Sequence, residues 1–138
     1  MIATTTLILQ TAGNGDVLDI TPRVVAAVFH SGVKDGLVTI FVTGSTAGLT
    51  TGEFEPGLVA DLKAAFQRLA PQGLEYQHNR LQGDDNGHAH INASLLGPSL
   101  VVPLARGKLL LGQWQQLLLV DFDVRPRQRQ VVVQVLGE

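Results

Sequence analysis

The sequence predicts a single mixed helix-and-strand domain over residues 1–138, and three observations carry that expectation. Two stretches, one after Thr21-Pro22 and one after Pro56, set apolar residues at helical spacing. From Gly73 onward the pattern reads as strands alone. Several of those strands, near Leu109, Leu117 and Val131, are apolar at adjacent positions. Adjacent strand residues point to opposite faces, so both faces of the sheet need cover. Two helices cover one face in this reading, and the other takes a second sheet or a neighbouring subunit.

Taken in order, Thr4 to Gln10 is β-branched and apolar enough for an opening strand. Gly13-Asn14-Gly15-Asp16 is a strong turn signal, with Val17 to Ile20 as the returning strand. Thr21 is placed to cap the first helix, and Pro22 suits a first turn in which its missing N–H costs nothing. Val24, Val25, Val28 and Phe29 make the apolar stripe, and Gly32 is the stop. Asp35-Gly36 turns into Leu37 to Val42, a buried strand. Thr43 to Gly52, rich in Thr, Ser and Gly, reads as a loop. In the second helix Leu58, Val59, Leu62, Ala65, Phe66 and Leu69 share a face, and Pro71 ends it. Strands are then expected near Glu75 to His78, His88 to Leu95, Ser99 to Leu104, Lys108 to Val120 and Arg129 to Leu136.

Composition excludes several classes. Ten Lys and Arg against twelve Asp and Glu, with a pI near 6.0, give no electrostatic case for nucleic acid. No apolar stretch approaches the ~20 residues that span a bilayer, and the first ten residues do not read as a signal peptide. Zero Cys excludes disulfides, thiolate metal sites and Cys nucleophiles. The expectation is a cytoplasmic globular protein with neither membrane nor nucleic acid as partner. Charged residues are only 16% of the chain, against about 25% in an average domain. A surface so poor in charge points to partial cover, most simply by copies of the same chain.

Polar chemistry concentrates between residues 78 and 92. With His88 to Leu95 as a strand, His88 and His90 share a face, ~6.5 Å apart along the chain. Asn86 and Asn92 have the same parity, and Ala89, Ile91 and Ala93 face the core. Two imidazoles on one face suit a metal, acid–base work or an anion, and His78 on a neighbouring strand supplies a third. A solvated polar face explains the same row. Asp84-Asp85-Asn86-Gly87 reads as a turn, or as a carboxylate source for the histidines. The hydroxyls and backbone N–H groups of Thr43 to Gly48 suit an anion such as phosphate, although the stretch lacks the Lys and spacing of a P-loop. Glu53 and Glu55 fit an acidic helix start, and Asp61 lies within that helix. Arg125, Arg127 and Arg129 alternate near the last strand, as phosphate holders or as charges guarding an edge. Trp114 reads as core or subunit contact, and His30 as a helix-end cation.

These residues together resemble the YjbQ-like family, described as secondary thiamine-phosphate synthases. The matching pieces are Thr46-Ala47-Gly48-Leu49-Thr50, Asp61 and Tyr76-Gln77-His78, then Asn86-Gly87-His88-Ala89-His90 and Ala93-Ser94-Leu95-Leu96-Gly97-Pro98-Ser99-Leu100. Leu111-Gly112-Gln113-Trp114-Gln115, Asp121-Phe122-Asp123 and Val131 to Glu138 complete a set that runs in family order along nearly the whole chain. The resemblance implies a compact α+β fold with β-sandwich-like sheets and two main helices, assembled as a homotrimer around a threefold axis. It implies a pocket near the subunit boundary that takes a divalent metal, Zn-like or Mg, or a small phosphorylated molecule. Carried over by position, the site comprises His78, His88 and His90 as ligands or acid–base groups, Asp61 and Glu53 to complete or orient it, and Ser45, Thr46, Gly48 and Asn86 for phosphate. The activity implied joins a pyrimidine diphosphate to a thiazole phosphate with release of pyrophosphate.

This chain departs from that pattern at three places. Gly44 stands where the family has His, Gly52-Glu53-Phe54 where it has Asn-Glu-Asn, and Asn92 where Lys is common. Each change removes a donor, base or cation beside the expected pocket. Two alternatives to the enzyme follow: a trimeric binding or scaffold protein with a decayed site, and a metal-binding protein without catalysis.

Overall fold

The computed structural model describes all residues, 1–138. The chain runs through β1 (Ile2–Thr11), β2 (Asp16–Asp19), α1 (Thr21–Ser31), β3 (Gly36–Thr43), β4 (Ala47–Gly52), α2 (Pro56–Leu69), α3 (Gln77–Gln82), α4 (Gly87–Leu96), β5 (Ser99–Ala105), β6 (Lys108–Leu109), β7 (Gln116–Asp121) and β8 (Arg127–Gly137). The strands form two antiparallel sheets, one ordered β1-β8-β3-β5-β6 and the other β2-β7-β4. An α+β sandwich is therefore observed, as expected, with four helices in place of two.

Strand β7 explains the apolar runs of adjacent residues. It is the central strand of the small sheet, and Leu117 to Val120 are fully buried. Leu117 and Leu119 point into the large core between the sheets, beside Val38, Ile40, Val42, Val131 and Val133. Leu118 and Val120 point the other way, into a second core with Val17, Phe122, Ala89 and Ala93, closed by Val59, Leu62 and Phe66. One face is thus covered by a sheet and the other by α2 and α4. Full burial of such a side chain contributes about 1.5–3 kcal/mol, so this strand anchors both cores. Phe66 on α2 meets Phe122 edge-on at 4.8 Å, fixing α2 to the sheet.

Several local expectations are corrected. Glu75 to His78 and His88 to Leu95 are not strands: Gln77–Gln82 and Gly87–Leu96 are helices. The polar row 86-88-90-92 satisfies a period of two, but Ala89, Ala93 and Leu96 also satisfy a helical stripe, and burial of that stripe on β4 and β7 decides the outcome. The Thr43 to Gly52 loop is shorter than expected, because Ala47–Gly52 pairs with β7. The expected strand Lys108 to Val120 is interrupted between Leu109 and Gln116. Trp114 lies in that interruption, 64% exposed, and so is not a core residue. Thr21 does not cap α1; its hydroxyl accepts from Leu117 N at 2.8 Å. The cap of α2 is Glu55, whose carboxylate accepts from Gly57 N and Leu58 N.

The outer face of the large sheet carries no charge on its four long strands. Ile2, Leu136, Leu37 and Pro103 form one cross-strand row, Thr4, Gln134, Thr39 and Val101 the next. Thr6, Val132, Phe41 and Ser99 follow, then Ile8, Gln130 and Thr43. Nothing in the single chain covers this face, and Ile2, Val101 and Leu136 are more than half exposed.

Candidate functional site: a histidine cleft beside a buried arginine network

Helix α4 governs the site, and its helical geometry separates the histidines that a strand would have aligned. Residues two apart on a helix point to different sides. His90 turns toward α3, where its ring centroid lies 4.5 Å from that of His78. His88 turns toward α2 and is 6% exposed, in company with Asn92 one helical turn on.

The close approach of α3 to α4 depends on Gly87. A Cβ there would meet the Tyr76 Cβ at 2.7 Å. The Gly87 N–H is held by Asn79 Oδ1 at 2.9 Å, and the Tyr76 hydroxyl donates to Pro71 O at 2.6 Å. His78 Nε2 lies 3.0 Å from Asn86 Oδ1, an acceptor, so the neutral ring carries its proton on Nε2 and its lone pair on Nδ1. Asp84 stands 3.9 Å from the same nitrogen. The backbone N–H of Asp85 and the nearby charges of His78 and Arg125 hold the Asp84 carboxyl below the usual carboxylate range.

His90 borders two cavities. One, of about 210 Å³, is lined by Gly44, Ser45, Ala47, Ala93, Ser94 and Pro98 as well as His90. The other, of about 400 Å³, places His90 with His78, Tyr76 and Gly87. His78, His90, Asn86 and Ser45 are thus brought to one side of α4. Glu53 and Asp61 are exposed and line neither cavity. Gly48 is buried against Leu96 and Gly97, where a Cβ would sit 3.0 Å from the Gly97 carbonyl, so its part is close packing. The Thr46 hydroxyl is already engaged, donating to Asp123 Oδ2 at 2.9 Å and accepting from Arg129 Nη2 at 2.6 Å.

The expected three-histidine metal set does not fit the geometry within one chain. His78 and His90 are adjacent but His88 faces away, and the chain gathers no group of three or more His, Asp or Glu suited to a metal. Two imidazoles fall short of the three protein ligands that Zn sites ordinarily use.

Beneath the cleft lies a network that the sequence reading did not assemble. Arg129 sits on β8, an interior strand, and is buried, so it does not guard an edge. Its Nε and Nη2 donate to Asp121 at 2.7 and 2.8 Å in a bidentate pair. Thr11 donates to Asp121 at 2.5 Å. Burial alone would raise the Asp121 carboxyl, but the bonds from Arg129, Thr11 and the Asp123 N–H outweigh it and hold it below the carboxylate range. Asp123 behaves alike: burial is opposed by the Val124 N–H, by Thr46 and by Arg127, which is 3.1 Å away. The signal available in the sequence was alternation: Asp121 and Asp123, like Arg127 and Arg129, have the parity of inward-facing apolar neighbours. Gly44 completes the arrangement. With φ at +143°, it leaves the place where a Cβ would stand 2.8 Å from Arg129 Nη1.

Comparison with known proteins agrees with this architecture. Residues 5–138 match the family described as UPF0047 protein YjbQ-like. A UPF0047 protein of Archaeoglobus fulgidus is 42% identical over 130 residues, covering 94% of this chain and 98% of the relative. YugU of Bacillus subtilis, also a UPF0047 protein, is 30% identical over 133 residues, covering 96% and 98%. Among solved structures, a YbjQ-like protein of unknown function from Sulfolobus solfataricus superposes with a TM-score of 0.95 at 36% identity, covering 100% of this chain and 99% of the other. A yjbq/upf0047 family protein from Clostridium acetobutylicum gives 0.87 at 36% identity, covering 96% and 99%. A match that spans the sheets, both cores and the histidine helix places this chain in the YjbQ-like UPF0047 family.

Proposed function

We propose that the cleft between the Thr43–Thr46 turn and α4 binds a small phosphorylated molecule, with His90 and His78 as its proton-bearing groups. The observation that carries this reading is the position of His90, between a hydroxyl-lined cavity and the His78 ring. Ser45 supplies a hydroxyl there, whereas that of Ser94 donates to the His90 carbonyl at 2.8 Å. Imidazole is the side chain that takes or gives a proton near neutral pH, as departure of a phosphate or diphosphate requires. The His78–Asn86 bond directs the lone pair of the neutral ring to Nδ1, a positioned acceptor. A divalent cation of the Mg type enters as the ion that a diphosphate itself chelates, since Mg²⁺ is commonly held through substrate phosphates. Weak thiamine-phosphate synthase chemistry is the reaction the family resemblance suggests for such a site, in a cytoplasmic setting.

A homotrimer belongs to the same reading. Its support is the uncharged outer face of β1, β8, β3 and β5 together with a chain that is only 16% charged. A second reading, a non-catalytic trimeric binding protein, is favoured by one observation: the family His position is Gly44, whose vacant Cβ place adjoins Arg129 Nη1.

Thermal unfolding and NMR titration with inorganic phosphate and diphosphate, each with and without Mg²⁺, test the proposal. Binding is expected in the native protein, reduced at least tenfold in His90→Ala and in His78→Ala, and unchanged in Asp61→Asn. Equal binding by all four proteins, or none by the native one, overturns it. Binding without turnover of any pyrimidine diphosphate supports the second reading.

A further inference from the structure

The side of α4 turned away from the cleft holds a separate small cavity of about 60 Å³, lined by His88 and Asn92 together with Phe66, Phe122, Gln67 and Lys63. Two buried polar atoms of residues that line this cavity have no partner in the chain: His88 Nδ1 and Asn92 Oδ1. Their residues are 6% and 3% exposed. A buried polar atom left without a hydrogen bond keeps its full desolvation penalty, so two of them on successive turns of one helix, on residues lining one cavity, call for a guest.

The chemistry of the guest follows from the atoms. Asn92 is oriented without ambiguity, because Nδ2 donates to Phe66 O and Ala70 O, both at 3.3 Å. Its Oδ1 therefore needs a donor. His88 Nδ1 accepts or donates according to tautomer. Burial depresses the His88 imidazole below its ordinary value, so the ring is neutral at pH 7. No carboxylate lines the cavity, and its one formal charge is Lys63, an exposed side chain. A charged guest would lose its hydration with no opposite charge at the deep end. The volume is that of a few waters or of one small planar head group.

We propose that this cavity is a second binding site, distinct from the His78–His90 cleft, that takes a neutral donor–acceptor head of the primary carboxamide class. The N–H of the guest bonds Asn92 Oδ1, and its other polar atom bonds His88 Nδ1. The edge-on pair of Phe66 and Phe122 forms the apolar wall against which a planar group lies.

The test is an NMR titration of the full-length protein with acetamide, and with acetate and methylammonium at equal concentration. The observed signals are the His ring nitrogens and the Asn side-chain amides. Acetamide is expected to give saturable shifts at His88 and Asn92, at least fivefold tighter than either charged probe, while the His78 and His90 rings stay unmoved. His88→Phe is expected to abolish the response. Asn92→Leu does the same, but it also removes both bonds to the end of α2, so His88→Phe is the decisive variant. No saturable shift in the native protein means that the cavity holds water only and overturns the proposal. A response centred on His78 and His90, or one kept by a folded His88→Phe, overturns it equally. Because phosphate binding is read at His90 and acetamide binding at His88, failure of one site is distinguishable from failure of the other.

Discussion

At Gly44 a single residue joins the cleft to the buried network. A side chain at this position meets two costs at once: a φ of +143°, which L residues rarely adopt, and a Cβ 2.8 Å from Arg129 Nη1. Arg129 cannot simply yield, because Asp121 and Thr46 grip its other nitrogens. Gly44→His, which installs the residue type that the resemblance implies at this place, is therefore expected to lose about 1–3 kcal/mol in urea unfolding. Thiamine-phosphate synthesis is not expected to rise, and a rise without loss of stability would show that the missing imidazole alone had disabled the site. His88 makes a second prediction, in pH. Its native value is depressed by burial below the ordinary 6.5. As pH falls through 6.5 the unfolded chain binds a proton that the native chain does not, so stability is lost from there down to the native value. Asp121 and Asp123 have depressed native values as well and lose their contribution lower still, within and below the carboxylate range. Melting temperatures of the native protein and of His88→Phe between pH 8 and 5 are expected to diverge below 6.5, the native protein falling more steeply; parallel curves would assign the acid loss to other groups. At this scale the candidate residues were legible by type but not by partnership. His78, His90, Asn86 and Ser45 do converge, whereas Thr46 is spent on Arg129 and Asp123, because sequence parity says which way a hydroxyl points and not what already occupies it.

Among the elements, α4 shows where the sequence is ambiguous and what resolves it. Gly87–Leu96 carries an alternation that fits a strand and an Ala89–Ala93–Leu96 stripe that fits a helix. Ten residues are too few for periodicity alone to choose. The second face of β7 chooses: Leu118, Val120 and Phe122 need an apolar cover that small alanines fit closely. The strands were legible because β-branched runs such as Val131, Val133 and Val135 admit little else, and α1 and α2 because Pro and Gly mark their ends. The short α3 is marked only at its end, by Gly83. Its seating on α4 depends on the missing side chain of Gly87 against Tyr76. Gly87→Ala is therefore expected to push α3 off α4, raising amide exchange across residues 76–92 at least tenfold while β3, β7 and β8 stay protected. Unchanged exchange there would mean that Tyr76 rotates away freely and that Gly87 does not set the His78–His90 distance.

Across the whole molecule, the low charge and the sheet topology converge on one surface. Within the chain both faces of the small sheet are covered, whereas the outer face of the five-stranded sheet is not. The small sheet has the large sheet on one side and α2 with α4 on the other. On its four long strands the exposed rows carry Ile, Leu, Val, Phe, Pro, Thr, Ser and Gln, and no Lys, Arg, Asp or Glu. An isolated soluble domain ordinarily sets charges on such a face, since a flat uncharged sheet invites uncontrolled pairing. The proposed homotrimer would bury it, and sedimentation is expected to give a mass near three times 14.7 kDa. Val101→Lys combined with Gln134→Lys puts two like charges in one cross-strand row without touching either core or the histidine cleft. At an interface such charges lose their water and find no partner, which costs several kcal/mol per ion. The double variant is therefore expected to sediment near 14.7 kDa with its strand content intact. A native mass already at that value would leave the uncharged face unexplained by self-assembly, and a variant that stays at the native mass would place the interface elsewhere, with the exposed Trp114 loop the next surface to charge.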